Sequence, residues 1–283
     1  MKHLTKLFFT SAATLLVALA PLHAADKPNL NQPADGPTPP PEGQRKDGFE
    51  PPDKDYNDYL FKQVRGQSIR VKGQKTLYFN GDSIMSGLAT SFKDLLKGKI
   101  NALYRKDIQR LIPDVKHEVT TCTAGGLLDF QQAYSEHRDF QVDVLLVNAG
   151  IHDAIKKEAI EDYEENLESL VELAHSHGIP IIWVNTIPTN DIIRKDPQFT
   201  EVKAMIDPLN AQATKVMEKH HIPIIDLNGF MRRLIDAEGL TTVYKDAYHQ
   251  KPEFVLKQAS FMAEEVTRII SDDSLLKKQL PTK

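Results

Sequence analysis

The chain has 283 residues, of which 41% are hydrophobic and 26% are charged. These proportions are typical of a globular protein and not of a disordered or fibrous one. Lys and Arg number 35 and Asp and Glu number 39, for a formal net charge of −4. This near balance argues against a general nucleic-acid-binding protein, which needs a basic face. The single cysteine, Cys122, excludes an internal disulfide framework and a cysteine-based zinc site.

The first 24 residues have the layout of a secretory signal peptide. Lys2 and Lys6 give a positive start, an apolar run covers Leu7–Ala20, and the small pair Ala24-Ala25 follows as the expected cleavage site. We therefore expect residues 1–24 to be removed and the mature protein to be periplasmic or secreted. The run is shorter than the roughly 20 apolar residues that span a bilayer, so no stable membrane insertion is expected after cleavage.

A proline-rich segment follows the predicted signal peptide. Residues 25–58 contain about half of the 17 prolines and few apolar side chains to bury. This composition predicts a linker or an arm laid over the domain. The folded domain is expected to cover residues 59–283.

Within that domain, apolar runs alternate with helically spaced segments. Strands connected by helix-length crossovers predict an α/β fold, a three-layer α/β/α sandwich with a five-stranded parallel sheet. One predicted helix begins near Leu88, and its apolar spacing continues past Ile100 and ends before Pro113. The predicted strands are 76–79, 119–123, 142–148, 179–184 and 222–227, and the predicted helices are 88–111, 161–177, 200–220 and 253–270.

Reactive side chains follow several of the predicted strands. Gly81-Asp82-Ser83 comes after the first strand, Gly125-Gly126 after the second, and Gly150-Ile-His152-Asp153 after the third. Asp246-Ala-Tyr-His249 precedes the last helix. Because the carboxyl ends of parallel strands meet at one edge of a sheet, we expect these four segments to converge there.

The converging groups suit serine-based acyl transfer. A serine hydroxyl needs a positioned base, so Ser83 is the candidate nucleophile and His249 the candidate base. Asp246 is the candidate that orients His249 and stabilises the imidazolium. The order Ser, Asp, His also occurs in α/β-hydrolases, but their Gly-x-Ser-x-Gly turn would need glycine where Met85 stands. This mechanism requires no cofactor and no metal.

These motifs resemble those of the SGNH hydrolases, also called the GDSL esterase/lipase family, over residues 76–270. Gly81–Ile84 resembles the first block, Gly125-Gly126 the second, and Asp246–His249 the fifth. The third block, usually Gly-x-Asn-Asp, is similar to Gly150–Asp153, with His152 in place of asparagine. The resemblance implies a flavodoxin-like SGNH hydrolase fold and a Ser-Asp-His serine esterase.

Ester attack places negative charge on the carbonyl oxygen, which needs hydrogen-bond donors. The candidates are the backbone N–H groups of Ser83 and of Gly125 or Gly126, and the side chain of His152. Asn148 is the alternative side-chain donor.

Two features of the sequence indicate the class of substrate. The polar loop after the fourth strand, residues 189–200, suits a hydroxylated substrate, and export places the enzyme among polysaccharides. We therefore expect a small-molecule or glycan ester as the substrate and an O-acetylesterase acting on carbohydrate esters as the function. The alternatives are a lysophospholipase or thioesterase for longer acyl chains, and a non-hydrolytic relative that binds glycans or transfers acyl groups. The sequence does not indicate an oligomeric state.

Overall fold

A computed structural model of the chain describes residues 70–104, 142–192 and 197–280. The predicted signal peptide, the predicted linker, the predicted strand 119–123 and the Gly125-Gly126 turn lie outside the described residues. Within the described ranges, no helix is both long and apolar enough to cross a membrane.

Five strands of the described chain form one sheet. They are β1 (Lys75–Asn80), β2 (Ile100–Tyr104), β3 (Val144–Asn148), β4 (Ile181–Val184) and β5 (Ile224–Ile225). Their spatial order is β2-β1-β3-β4-β5, and every neighbouring pair is parallel. The predicted five-stranded parallel sheet is confirmed.

Helices connect and cover these strands. They are α1 (Ser83–Leu96), α2 (Ile151–Lys156), α3 (Ile160–Ser176), α4 (Pro197–Lys219), α5 (Leu227–Glu238), α6 (Leu240–Val243), α7 (Pro252–Ser271) and α8 (Asp273–Lys277). Helix α1 packs against α7, whereas α4 packs against α2 and α3. The predicted helices that correspond to α3, α4 and α7 are confirmed to within three residues at each end.

The order of the strands places these helices on opposite faces of the sheet. The chain moves from β1 to β2 in one direction and from β3 through β4 to β5 in the other. Because parallel crossovers are right-handed, the α1 crossover lies on one face, and the α3 and α4 crossovers lie on the other. This is the α/β/α sandwich, and all residues of β2, β3 and β4 are buried between its helical layers.

The direction of winding reverses between β1 and β3, which pair side by side. In open α/β sheets, the carboxyl ends of the strands at such a reversal flank the usual ligand-binding crevice. Ser83 follows β1, and α2 follows β3. The topology therefore brings the predicted first and third motifs to neighbouring positions at the edge of the sheet.

One predicted helix was wrong in its second half. Helix α1 ends at Leu96, and Gly98 adopts a left-handed backbone with φ of 81°. The next residues, Ile100–Tyr104, are all buried and form β2. Leu95, one of the apolar side chains at helical spacing in the sequence, is 41% exposed. A continuous apolar run also produces apolar residues at helical intervals, so periodicity alone did not distinguish the two structures.

The predicted fifth strand was too long. Strand β5 covers only Ile224–Ile225, because Asp226 is the N-cap of α5, a helix that the sequence analysis did not identify. The Asp226 Oδ1 atom accepts a hydrogen bond from the Gly229 N–H at 2.9 Å. An Asp is a favoured N-cap residue, and the predicted strand 222–227 extended past this helix start.

Candidate active site

Ser83 is the first residue of α1 and its side chain reaches solvent. Asp82 is the N-cap of this helix, and its Oδ1 atom accepts a hydrogen bond from the Ile84 N–H at 2.8 Å. This contact satisfies one of the donors that a helix start leaves without a partner. Asp82 therefore braces the turn that leads into Ser83.

The turn before Ser83 is tight because Gly81 has no side chain. A Cβ atom at position 81 would collide with the Met85 side chain and lie 3.2 Å from the Asn148 carbonyl oxygen. Glycine therefore allows the chain to turn from β1 into α1 directly against the end of β3. The turn places Ser83 at the carboxyl edge of the sheet.

The Asp246 carboxylate organises the loop that carries the candidate base. Its Oδ1 atom accepts hydrogen bonds from the backbone N–H groups of Tyr248 at 2.9 Å and His249 at 2.8 Å. The His249 Nδ1 atom lies 3.0 Å from both carboxylate oxygens. One side chain thus fixes both the backbone of the loop and the orientation of the imidazole.

Contacts with the segment after β4 hold this loop against the domain. The Asn190 N–H donates to the Ala247 carbonyl at 2.8 Å, and the buried Tyr244 hydroxyl donates to the Pro188 carbonyl. Tyr244 also forms an antiparallel bridge with Gln250. Residues 246–249, the Asp/His loop, are therefore held by contacts on both sides of His249.

The three predicted catalytic side chains meet at this edge of the sheet. The His249 Nε2 atom lies 2.8 Å from the Ser83 Oγ atom, across 166 residues of sequence. A hydrogen on Nδ1 satisfies Asp246 and leaves Nε2 to accept the serine proton. The side chains of His249 and Asp246 are 36% and 46% exposed. The arrangement can activate a serine hydroxyl at an open surface.

Local hydrogen bonds keep the Asp246 carboxylate charged. Burial raises its pKa, but the hydrogen bonds from the backbone N–H groups of His249 and Tyr248 and from the His249 ring outweigh burial and lower the pKa below its ordinary value. A charged carboxylate beside Nδ1 stabilises an imidazolium on His249.

Asp82 has the opposite electrostatic environment. Only 1% of its surface is exposed, and burial raises the pKa of its carboxyl from 3.8 to about 6. The backbone N–H groups of Ile84 and Met85 and the nearby His249 lower that pKa in part, whereas Asp153 raises it. The Oδ2 atom has no hydrogen-bond partner among the described residues. A buried carboxyl with a raised pKa therefore immediately precedes Ser83 in the chain.

Two candidate oxyanion donors, Asn148 and His152, lie at or just after the end of β3 and differ in their surroundings. The Asn148 Nδ2 atom donates to the Val184 carbonyl at 3.0 Å and lies 3.4 Å from the Asn185 carbonyl. Its amide therefore links β3 to β4, which argues against the alternative that it serves the oxyanion. His152 lies half-buried in the first turn of α2, and its oxyanion role stays a prediction. Gly125 and Gly126 lie outside the described residues.

Within the described ranges, no group of three or more His, Cys, Asp or Glu side chains is arranged to hold a metal ion.

The residues that the sequence analysis missed are supporting ones, namely Thr186, Asn190 and Tyr244. They hold the loops at this edge through backbone carbonyl and N–H groups. Thr186 and Asn190 had as their sequence signal only a polar segment after a buried strand, and Tyr244 lies at the end of a short helix.

Comparison with known proteins decides the family. Residues 79–249 match the model of the GDSL-like lipase/acylhydrolase family. The chain belongs to this family. It is therefore a GDSL-type acylhydrolase, an enzyme that acts on ester bonds. The matched region begins at the last apolar residues of β1 and ends at the candidate base. No curated protein matches the chain.

Several solved structures share the fold of this chain. A candidate acylhydrolase from Bacteroides fragilis is 19% identical, with a TM-score of 0.55 over 79% of this chain and 99% of its own. A GDSL-like lipase from Bacteroides thetaiotaomicron is 17% identical, with a TM-score of 0.53 over 77% and 98%. An acetylxylan esterase from Geobacillus stearothermophilus is 14% identical, with a TM-score of 0.50 over 75% and 98%. At these identities the likeness shows the fold alone.

The raised pKa of Asp82 predicts a pH-dependent stability difference in the Asp82→Asn variant. The folded protein binds a proton at Asp82 more tightly than the unfolded chain does. This carboxyl therefore stabilises the fold fully below about pH 3.8, and that contribution is lost as pH rises through about 6. The asparagine side chain of the variant keeps an oxygen for the N-cap but does not titrate. Between about pH 4 and pH 8, we expect the variant to gain about 2 kcal/mol in free energy of unfolding relative to wild type.

Urea unfolding of both proteins across this range measures the difference. Asp226→Asn is the matched control, because Asp226 is also a helix N-cap but is exposed. This variant measures what an Asp-to-Asn exchange at an exposed helix N-cap does to stability over the same range. Parallel pH dependence in wild type and Asp82→Asn would contradict the proposed environment of Asp82.

Proposed function

We propose that this protein is an exported serine esterase that removes O-acetyl groups from carbohydrate esters. The 2.8 Å contact between the Ser83 Oγ and His249 Nε2 atoms supports this proposal most directly. The Asp246 carboxylate, 3.0 Å from His249 Nδ1, completes the set. These are the groups and distances that a Ser-His-Asp mechanism needs.

In the first half of the reaction, Ser83 Oγ attacks the ester carbonyl carbon while His249 Nε2 takes the serine proton. The imidazolium formed on His249 is stabilised by Asp246. When the bond from the carbonyl carbon to the sugar oxygen breaks, His249 returns its proton to that oxygen. The sugar leaves with a free hydroxyl, and the acetyl group remains on Ser83.

In the second half, water takes the place of the sugar. His249 removes a proton from the water, whose oxygen attacks the acetyl carbon. The bond to Ser83 Oγ then breaks, and the proton held by His249 returns to the serine. Acetic acid is released and ionises to acetate. A sugar hydroxyl in place of water would give acyl transfer instead.

Three kinds of donor are proposed to stabilise the oxyanion. Ser83 is the first residue of α1, where backbone N–H groups have no carbonyl partner within the helix. His152 contributes a ring N–H from the first turn of α2, in place of the asparagine amide usual in the family. A glycine N–H at Gly125 or Gly126 is the third. Each donor of this kind is worth about 10²–10³ in rate.

The proposed substrate is a glycan ester. The half-exposed His249 and Asp246 side chains and the exposed Ser83 leave room for a bulky alcohol such as a polysaccharide. An acetylxylan esterase is among the proteins that share the fold. The sequence of residues 1–24 supports export to a compartment where polysaccharides occur.

Replacing Ser83 tests the proposed nucleophile. The mature protein should release acetate from p-nitrophenyl acetate, and Ser83→Ala should lower kcat by at least about 10³-fold because the acyl-enzyme cannot form. Circular dichroism and thermal unfolding show whether the variant keeps its fold. Equal turnover by a folded Ser83→Ala variant would contradict the proposed mechanism.

Acyl-chain preference separates the proposed acetylesterase from a lysophospholipase or thioesterase. One observation favours longer chains, because Ile192 is 60% exposed on the segment that contacts the Asp/His loop. We expect kcat/KM to fall from p-nitrophenyl acetate to the octanoate, since the proposed substrate carries an acetyl group and the triad side chains themselves are polar. A kcat/KM that rises toward eight carbons would overturn the sugar-ester assignment and leave the nucleophile unaffected.

A further inference from the structure

The carbonyl of Ala149, between β3 and α2, accepts hydrogen bonds from two buried side chains. The Thr186 Oγ1 atom donates to it at 2.5 Å, and the Tyr163 hydroxyl lies at 3.4 Å. All three residues are at most 3% exposed. The connection from β3 into α2 is therefore attached to the β4 segment by a short hydrogen bond shielded from water.

The next residue, Gly150, also lies close to Thr186. Gly150 has φ of 135°, a conformation that residues with side chains rarely adopt, and a Cβ atom there would collide with Thr186 Oγ1. The backbone of Gly150 therefore lies directly against the Thr186 hydroxyl. His152 lies two residues later, in the first turn of α2.

Thr186 is itself held by two helices. The Asn210 side chain on α4 accepts from the Thr186 N–H at 2.9 Å and donates to the Thr186 carbonyl at 2.8 Å. The Asn228 side chain on α5 donates to the same carbonyl at 2.7 Å. The Thr186 hydroxyl is thus a fixed point against which the turn at Ala149-Gly150 is placed.

We propose that Thr186 is a positioning residue for the oxyanion donor His152. Its hydroxyl sets the place of the Ala149-Gly150 turn, and that turn sets where α2 begins and where His152 stands. The inference rests on the proposed function, because it concerns the same oxyanion. Displacing a catalytic group by about 1 Å can cost about 10²-fold in rate, so a missing hydroxyl at Thr186 should be visible in kcat.

Two substitutions that differ by one oxygen atom test this role. Thr186→Ser keeps the hydroxyl and should turn over within about threefold of wild type. Thr186→Ala removes the hydroxyl and should lower kcat about 10- to 100-fold, with KM for p-nitrophenyl acetate nearly unchanged, because the oxyanion forms only after binding. If Thr186→Ala does not fold, Thr186→Val, which fills the original volume, takes its place in the comparison.

Thr76 provides the matched control. It is a fully buried threonine near the amino end of β1, away from the catalytic edge, and its Oγ1 atom accepts a hydrogen bond from the Asn101 side chain at 3.2 Å. Thr76→Ala removes a buried hydroxyl of the same kind. It should lower the thermal unfolding temperature and leave kcat as in wild type. Equal loss of kcat in Thr76→Ala and Thr186→Ala would overturn a specific positioning role.

A double-mutant cycle shows whether Thr186 acts through His152. His152→Ala alone should lower kcat about 10²-fold. In that background, Thr186→Ala should cause little further loss, because the donor that it positions is already absent. A fully multiplicative loss, or an unchanged kcat in the single Thr186→Ala variant, would overturn the inference. Wild-type protein without Ser83-dependent turnover would instead overturn the proposed function, and the inference with it.

Discussion

The parallel pairing of β1 with β3 is the constraint on which the site depends. These strands lie side by side although β2 intervenes between them in sequence, and the winding of the sheet reverses between them. Neighbouring strands are about 4.8 Å apart, so whatever follows β1 stands close to whatever follows β3. Ser83 follows β1, and the turn before His152 follows β3. The lack of a side chain at Gly81 allows this close approach.

The third part of the site comes from a distant segment, and one carboxylate organises it. Asp246 accepts hydrogen bonds from two backbone N–H groups and contacts the His249 ring. Because the two residues are three positions apart, one carboxylate both shapes the loop and orients the imidazole. The segment after β4 supports this loop from one side through Asn190 and supports the β3–α2 turn from the other through Thr186. Such supporting hydrogen bonds are what a site built on loops needs, because loops alone position reactive groups less precisely than helices and strands do.

Much of the fold and the candidate triad were accessible from the sequence. β1, β3 and β4 are buried runs bounded by turns, and α3 and α7 carry regular apolar stripes. Each of these patterns predicts a single kind of element. The pattern of Ile100–Tyr104 fits both a helix and a strand, because it continues the apolar spacing of α1. Three residues separate the two elements, and the middle one, Gly98, has a left-handed conformation. Ser83, Asp246 and His249 were identified from motifs whose chemistry requires those residue types.

The supporting contacts were not accessible in this way. Asn210 binds both the N–H and the carbonyl of Thr186 from 24 residues away, and a polar residue within a helix carries no signal for such a partner. The raised pKa of Asp82 likewise depends on burial, on His249 and on Asp153, which only the assembled sheet brings together. The local sequence pattern identifies the candidate reactive side chains. The tertiary packing determines which residues hold them and how the pKa of a neighbouring carboxyl shifts.

Covalent labelling tests the central claim, that Ser83 is the nucleophile, most directly. A p-nitrophenyl alkylphosphonate transfers its phosphonyl group to an activated serine, and peptide mass spectrometry then locates the added mass. We predict one phosphonyl group for each chain, on the peptide that contains Ser83, with activity lost in proportion to labelling. Labelling at another residue that abolishes activity, or full activity in protein labelled at Ser83, would contradict the account.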